Sequence, residues 1–166
     1  MTTSDERRTA MGEARLRLRA EDADDLTIIA ACLQDAAVRV SDMTFLPRRR
    51  RFAVVLNRYR WEAEAAGGVS GRRGQRVRTG LHFDGVLGVR RVGFEQSDGD
   101  RVLELLTIAC APSDEGACLT MVFAGEAAVE LSVECIDAIL HDLTAPWETE
   151  FRPEHFLDRG PSKRGR

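Results

Sequence analysis

One block near the C-terminal end constrains the fold more than any other part of the chain. In residues 117–134 apolar and polar side chains alternate with period two on either side of a Gly-Glu pair at 125–126, which predicts a β-hairpin. In residues 133–143 the apolar side chains recur at steps of three and four, which predicts an amphipathic helix. A hairpin that runs directly into such a helix needs a sheet for the helix to cover, so the block predicts an α+β domain.

The rest of the chain supplies a first helix and the remaining strands. Residues 21–35 begin with four acids, which favour a helix N-terminus, and continue with an apolar stripe. Between this helix and residue 117, alternating segments separated by short turns predict an antiparallel meander, for about six or seven strands in all. Gly85 and Gly88 predict a bulge or a sharp bend within residues 77–94.

Two arrangements fit this order of elements. The first is a bent, barrel-like sheet with the N-terminal helix and with the C-terminal amphipathic helix capping one end, which resembles a pleckstrin-homology-like barrel. The second is an open antiparallel sheet with both helices on one face. The glycines that bend the long strand favour the first arrangement.

Length and composition predict one domain with two tails. A chain of 166 residues can bury a single core without disulfides, and we expect a disordered tail at 1–14, a domain at 15–147 and a flexible tail at 148–166. No apolar run approaches the length of a membrane helix. The N-terminal residues lack the apolar segment of a secretion signal, so we expect a cytoplasmic protein.

Charge is spread unevenly along the chain. Residues 47–91 contain twelve arginines and three acids, whereas the residues before and after them are acidic and the whole chain carries −3. This pattern predicts an arginine-rich face that binds an acidic protein or another anionic partner. The candidate contacts are Arg49, Arg51, Arg58 and Arg60. The alternative is that these arginines solubilise turns and pair with the acid-rich C-terminal part of the same chain.

Catalytic signatures are weak. His82 and Asp84 share one face of a predicted strand, but no nucleophile accompanies them. Four cysteines and three histidines match no zinc-binding spacing. We therefore predict no catalytic residue, no cofactor and no metal, and we favour a binding or adaptor domain over an enzyme.

Two other functions stay open as hypotheses. An RNA-binding domain would need exposed aromatic residues among the arginines, and the overall acidic charge disfavours it. A small-molecule enzyme would need a pocket with perturbed titratable groups.

Three stretches of the chain resemble one known family. They read LRAEDADDLTIIAACLQDA at 18–36, DMTFLPRRRRFAVVLNRYRWE at 42–62 and VELSVECIDAILHDLTAPW at 129–147. They are similar to an uncharacterised alphaproteobacterial family, domain of unknown function 2948. The resemblance implies a single domain in a bacterial cytoplasm, and it implies no activity and no catalytic residue.

Overall fold

The computed structural model of the chain describes residues 15–65 and 74–150. In these residues eleven strands and two α-helices follow one another along the chain, with two short 3₁₀ turns at Val40–Asp42 and Pro47–Arg49. The elements are β1 (Arg17–Ala20), α1 (Ala23–Leu33), β2 (Ala37–Arg39), β3 (Met43–Leu46), β4 (Arg51–Tyr59), α2 (Trp61–Ala65), β5 (Gly74–Phe83), β6 (Val86–Val92), β7 (Val102–Ser113), β8 (Gly116–Phe123), β9 (Ala127–Val133), β10 (Ala138–Asp142) and β11 (Trp147–Thr149).

Helix α1 confirms the predicted N-terminal helix. The Asp22 side chain accepts a hydrogen bond from the backbone N–H of Asp25 at 2.8 Å, which caps the first turn. Beyond the last turn Asp35 adopts a left-handed backbone with φ of 63°, so the chain turns sharply into β2. The helix packs against β1, β4 and β7. Its buried side chains form the predicted apolar stripe, Leu26, Ile29, Ala30 and Leu33.

The strands form one antiparallel sheet in the order β1-β10-β5-β4-β2-β7-β8-β9-β6, with β3 added to β4 and β11 added to β5. Strand β2 joins two halves of the sheet, through one residue pair with β4 and three with β7. Within the described residues no pairing connects the two ends of this order, β1 and β6, so the sheet is open. The predicted closed, barrel-like sheet is therefore wrong.

The predicted bend in the long β-rich segment is confirmed. Gly85 has a φ of +71° between β5 and β6, and the β6–β9 ladder shifts register between Val86 and Gly88. A left-handed backbone is accessible to glycine at little cost. The bend sends β5 and β6 into different halves of the sheet, which curves the sheet without closing it.

The predicted C-terminal helix is also wrong, because that segment forms strand β10 between β1 and β5. Ala138, Leu140 and Asp142 are buried and alternate with Ile139 and His141, which are partly exposed. A hydropathy pattern assigns a carboxylate such as Asp142 to the solvent side. Because Asp142 is buried although it is charged, the sequence does not show the period-two alternation of the strand. The remaining apolar residues are spaced by three and four positions, which resembles a helix.

Two apolar residues of the predicted helix, Leu140 and Ile136, do contact the core. Leu140 is fully buried, and Ile136 is partly buried against the same apolar cluster. This cluster joins the inner face of the sheet to helix α1. At one end of the cluster the inner face becomes polar: Arg58, Thr79 and Asp142 are the buried polar residues of the described chain.

Candidate functional site

The four arginines chosen from the sequence do not share one surface. Arg51 and Arg58 are an odd number of positions apart on β4, so their side chains point to opposite faces of the sheet. Arg58 also comes seven residues after Arg51, which is a distance of about 23 Å along an extended strand. Arg58 is 0% exposed, so it belongs to the core and not to an exposed face.

The other three lie at different places and have different contacts. Arg51 forms a two-pronged ion pair with Asp84, with N–O distances of 2.7 and 3.2 Å. Arg60 is mostly buried and donates to the side chain of Gln75. Arg49 is exposed on the turn before β4 and forms no ion pair with any described residue.

Arg58 is held by two carboxylates. Its Nε and Nη2 donate to the two carboxylate oxygens of Asp142 at 2.9 and 2.7 Å. Its Nη1 and Nη2 donate to the two oxygens of Glu62 at 3.0 and 2.7 Å. Thr79 Oγ1 and the backbone N–H of Leu16 also donate to Asp142, at 2.8 and 3.2 Å. Paired donors on a carboxylate are among the stronger hydrogen-bonded contacts in proteins.

The charges of this network are fixed by its hydrogen bonds. Burial acts to lower the pKa of Arg58, but the bonds to Asp142 and Glu62 outweigh it and raise the pKa above its usual value. Burial acts to raise the pKa of Asp142, but the bonds from Arg58 and Thr79 hold it below the usual range. The pKa of Glu62 is lowered in the same way, by Arg58 against burial. The network therefore stays ionised and saturated, and we assign it a structural role.

The histidine–aspartate pair found in the sequence is close in space but does not form a catalytic dyad. His82 Nε2 lies 3.6 Å from Asp84 Oδ2, which is too long for a hydrogen bond. Both oxygens of Asp84 already accept from Arg51. Burial, and then the Arg51 charge, lower the pKa of His82. In the described part of the chain no three His, Cys, Asp or Glu side chains group to hold a metal ion.

A cleft opens on the outer face of the sheet, where β2 lies between β4 and β7. Strand β2 has three residues, and the chain then leaves the sheet through the 3₁₀ turn Val40–Asp42. The gap has a volume of about 260 Å³. We call it the outer cleft. Its lining residues are Ala37, Arg39, Ser41, Asp42, Val55, Leu56, Asn57, Arg78 and Val102.

The polar groups of the outer cleft are incompletely paired. Arg78 Nη2 lies 3.7 Å from Asp42 Oδ2, and both side chains are exposed by a third or more. Arg39 is exposed and forms no ion pair with any described residue. The Oδ1 atom of Asn57 is buried and accepts no hydrogen bond from any described residue. Buried polar atoms are normally satisfied, so this acceptor is an exception among the buried side chains that the structure describes.

The sequence did not single out Arg39 or Asn57. They come together because Asn57 of β4 is opposite both Ala37 of β2 and Arg78 of β5, and because Arg39 lies two residues beyond Ala37 on the same face. The one local signal was a polar asparagine inside the apolar run of β4. The other residues of the cleft come together through pairing of strands that are distant in sequence, and a hydropathy pattern does not show which strands pair.

Comparison with known proteins places the chain in a family without giving it an activity. Residues 16–155 match the model of a family described as protein of unknown function, DUF2948. The chain belongs to this family. No curated protein and no solved structure matches it. In the part of this DUF2948 chain that the structure describes, no helix is long and apolar enough to cross a membrane.

Proposed function

We propose that this DUF2948 chain is a binding domain, and that its outer cleft binds an acidic peptide segment of a partner protein. The observation that carries the proposal is the combination of Arg39, which has no counter-ion among the described residues, with the unsatisfied Oδ1 of Asn57. An unpaired guanidinium attracts a carboxylate. An unsatisfied buried acceptor requires an N–H or O–H donor.

An acidic peptide supplies both groups on neighbouring atoms. An Asp or Glu side chain of the peptide can accept hydrogen bonds from the guanidinium of Arg39. It can also compete with Asp42 for the guanidinium of Arg78, because the distance between Arg78 Nη2 and Asp42 Oδ2 is long, at 3.7 Å. A backbone N–H of the same peptide can donate to Asn57. The volume of about 260 Å³ lies just below the range of ordinary cofactor pockets, roughly 300–1,000 Å³. It suits one or two peptide residues better than a cofactor.

The surface first chosen from the sequence supplies the alternative site. Arg49 and its neighbour Arg48 are exposed and form no ion pair within residues 15–65 and 74–150, so an anionic partner could contact this turn instead of the outer cleft. Arg51, Arg58 and Arg60 already have contacts within the chain. The two sites are separate enough to be tested against each other.

The test measures binding of a fluorescein-labelled decapeptide that alternates aspartate and serine, by fluorescence anisotropy over a series of salt concentrations. We expect saturable binding to the full chain that weakens as salt rises, because charge provides the main attraction. Replacing both cleft arginines, Arg39→Ser with Arg78→Ser, should weaken binding at least tenfold. The matched control replaces two exposed arginines outside the cleft, Arg48→Ser with Arg49→Ser, and should keep wild-type affinity.

Three results would contradict the proposal. No saturable binding of the peptide by the wild-type chain would exclude an acidic-peptide site. Loss of affinity in the Arg48/Arg49 control alone would move the site to the turn before β4. Tighter binding of a single-stranded RNA oligonucleotide than of the peptide, lost in the Arg39/Arg78 variant, would assign the cleft to nucleic acid instead.

A further inference from the structure

Two exposed apolar side chains flank the outer cleft. Large apolar side chains are exposed at seven positions of the described residues, which are Ile28, Leu46, Leu87, Val102, Leu106, Leu143 and Trp147. Val102 is the most exposed of them, at 59%, and it lines the outer cleft. Leu143 is 41% exposed, and its backbone N–H donates to the carbonyl oxygen of the cleft residue Arg78. Exposed apolar side chains that border a polar cleft are typical of a contact surface.

Both side chains lie on the same face of the sheet as the arginines of the cleft. Val102 is directly opposite Arg39 in the β2–β7 ladder, and residues directly opposite each other share a face. Gly80 comes two positions after Arg78 on β5, so it belongs to the outer face too. A Cβ atom at Gly80 would lie 3.6 Å from Leu143 Cδ1. Leu143 therefore covers the surface of this glycine on the outer face, beside Arg78.

The strand order arranges these four side chains as a line with two arginines in the middle. From β10 through β5, β4 and β2 to β7, the line runs from Leu143 to Arg78, then to Arg39 and Val102. Neighbouring strands are about 4.8 Å apart, and Val102 lies two residues further along the strands than Leu143, so the two ends are about 20 Å apart. An extended peptide covers about 20 Å in six residue steps, and its alternate side chains point to one side. Four alternate residues of a seven-residue segment therefore match the four positions.

The chemistry of each position selects a type of residue. A guanidinium such as that of Arg39 or Arg78 is matched by a carboxylate. An exposed aliphatic side chain such as Leu143 is matched by another apolar side chain, because covering it removes apolar surface from water. An acid next to Val102 would also lie close to Glu104, which is two residues beyond Val102 on the same face. The two ends of the line therefore favour apolar residues, and the middle favours acids.

We propose that the segment bound at the outer cleft carries two acids flanked by two apolar residues, in the pattern apolar-x-acid-x-acid-x-apolar, where x is any residue. The acids contact Arg78 and Arg39, and the apolar residues pack on Leu143 and Val102. This inference rests on the proposed function of the cleft, and it adds the residues by which the domain distinguishes one acidic segment from another. The pattern is the same in both directions, so it holds whichever way the peptide runs.

The test compares three fluorescein-labelled peptides with capped ends, each titrated with the full chain by fluorescence anisotropy. The matched peptide is Leu-Ser-Asp-Ser-Asp-Ser-Leu. The swapped peptide, Asp-Ser-Leu-Ser-Leu-Ser-Asp, has the same composition and charge in the wrong order. The third peptide has serine in place of both leucines of the matched peptide. We expect the matched peptide to bind about tenfold more tightly than either of the others, because it alone covers both apolar side chains while it pairs both arginines.

Substitutions at the two ends of the line should remove this gain and leave the rest of the binding unchanged. The double variant Leu143→Ser with Val102→Ser should bind the matched peptide no more tightly than the serine-ended one, and its affinity for the serine-ended peptide should equal that of the wild type. The matched control, Ile28→Ser, replaces an exposed apolar side chain on helix α1 and should keep the full gain. If the double variant does not fold, the three peptides still decide the question on the wild-type chain.

The outcomes separate this inference from the proposed function. If the serine-ended peptide binds through Arg39 and Arg78 but the leucines add nothing, the pattern is overturned and the acidic-peptide function stands. The pattern is also overturned if the swapped peptide binds as tightly as the matched one, or if Ile28→Ser removes as much of the gain as the double variant does. If none of the three peptides binds, or if the matched peptide binds the Arg39/Arg78 variant as it binds the wild type, both proposals are overturned.

Discussion

The two faces of the sheet near the end of β4 carry charges under opposite conditions. On the inner face Arg58 is fully buried and makes four bonds of 2.7–3.0 Å to two carboxylates. On the outer face Arg78 reaches Asp42 at 3.7 Å, and Arg39 has no carboxylate partner in the described chain. The charges of the inner face are saturated within the chain, whereas those of the outer face are incompletely paired among the described residues and are the ones that we propose a ligand contacts.

The cost of burial explains the difference. A charge without a partner on the inner face would lose its hydration with no compensation, so every donor and acceptor there must be matched. On the outer face water compensates an unpaired guanidinium, and an exposed ion pair contributes about 0–1 kcal/mol. The outer arginines can therefore stay available without much loss of stability.

The largest expected effect comes from removing the inner carboxylate. Asp142→Ala should lower the free energy of unfolding by about 3–5 kcal/mol, because it leaves Arg58 buried with one partner instead of two. Denaturant unfolding measures the loss. The matched control is Asp84→Ala, which breaks the partly exposed pair with Arg51 and should cost about 0–1 kcal/mol. Equal losses in the two variants would mean that the inner and outer pairs do not differ.

The next largest expected effect is the difference in stability loss between alanine substitutions on the two faces of β10. Leu140→Ala should cost about 2–5 kcal/mol because the side chain is fully buried. Ile139→Ala should cost clearly less, since Ile139 lies on the outer face and is partly exposed. In a helix these adjacent apolar residues would share the buried side. Similar losses for both variants would therefore favour the helix over the strand.

The helix error shows what a hydropathy pattern can and cannot predict. Helix α1 was predictable because all its inward residues are apolar and an aspartate caps its first turn. The bend at Gly85 was predictable because glycine marks left-handed backbone. Strand β10 was not, because Asp142 lies among its inward residues and its partner Arg58 is 84 positions away.

The arginines of the outer cleft, which we propose to bind a partner, could not be chosen from the sequence for a related reason. The sequence showed an excess of arginine between residues 47 and 91 but not which arginines already had carboxylate partners. Arg58 and Arg51 take theirs from β10 and from the end of β5, whereas Arg39 lies outside the arginine-rich segment. Sequence proximity grouped residues that the sheet separates, and strand pairing grouped Arg39 with Arg78.

The smallest effect on stability is expected in the outer cleft. Asn57→Leu replaces a buried acceptor that has no donor in the described part of the chain, so stability should stay the same or rise by as much as about 1 kcal/mol. The same variant should weaken binding of the aspartate–serine peptide, because it removes the acceptor for the peptide N–H. Unfolding and anisotropy on one preparation measure both. A loss of stability above about 1 kcal/mol would mean that Asn57 supports the fold, as Asp142 does.

We also expect the saturated inner network to make the stability of the fold depend on pH in the acidic range. The folded pKa of Asp142 lies below its unfolded value, so folding favours the ionised form. Its contribution to stability is therefore present above the unfolded pKa and is lost as the pH falls through the folded pKa. Asp84→Ala should leave this acid-dependent loss in place, whereas Asp142→Ala should reduce it.

The most direct test of the difference between the faces is an NMR titration of the aspartate side-chain carboxyl carbons in the intact chain. The account predicts that Asp142 titrates below the usual aspartate value of about 3.9, because Arg58 and Thr79 bind its ionised form. The Arg58→Met variant, which removes the paired cation, should move the midpoint upward. A midpoint for Asp142 at or above the usual value in the wild-type chain would contradict the saturated inner network.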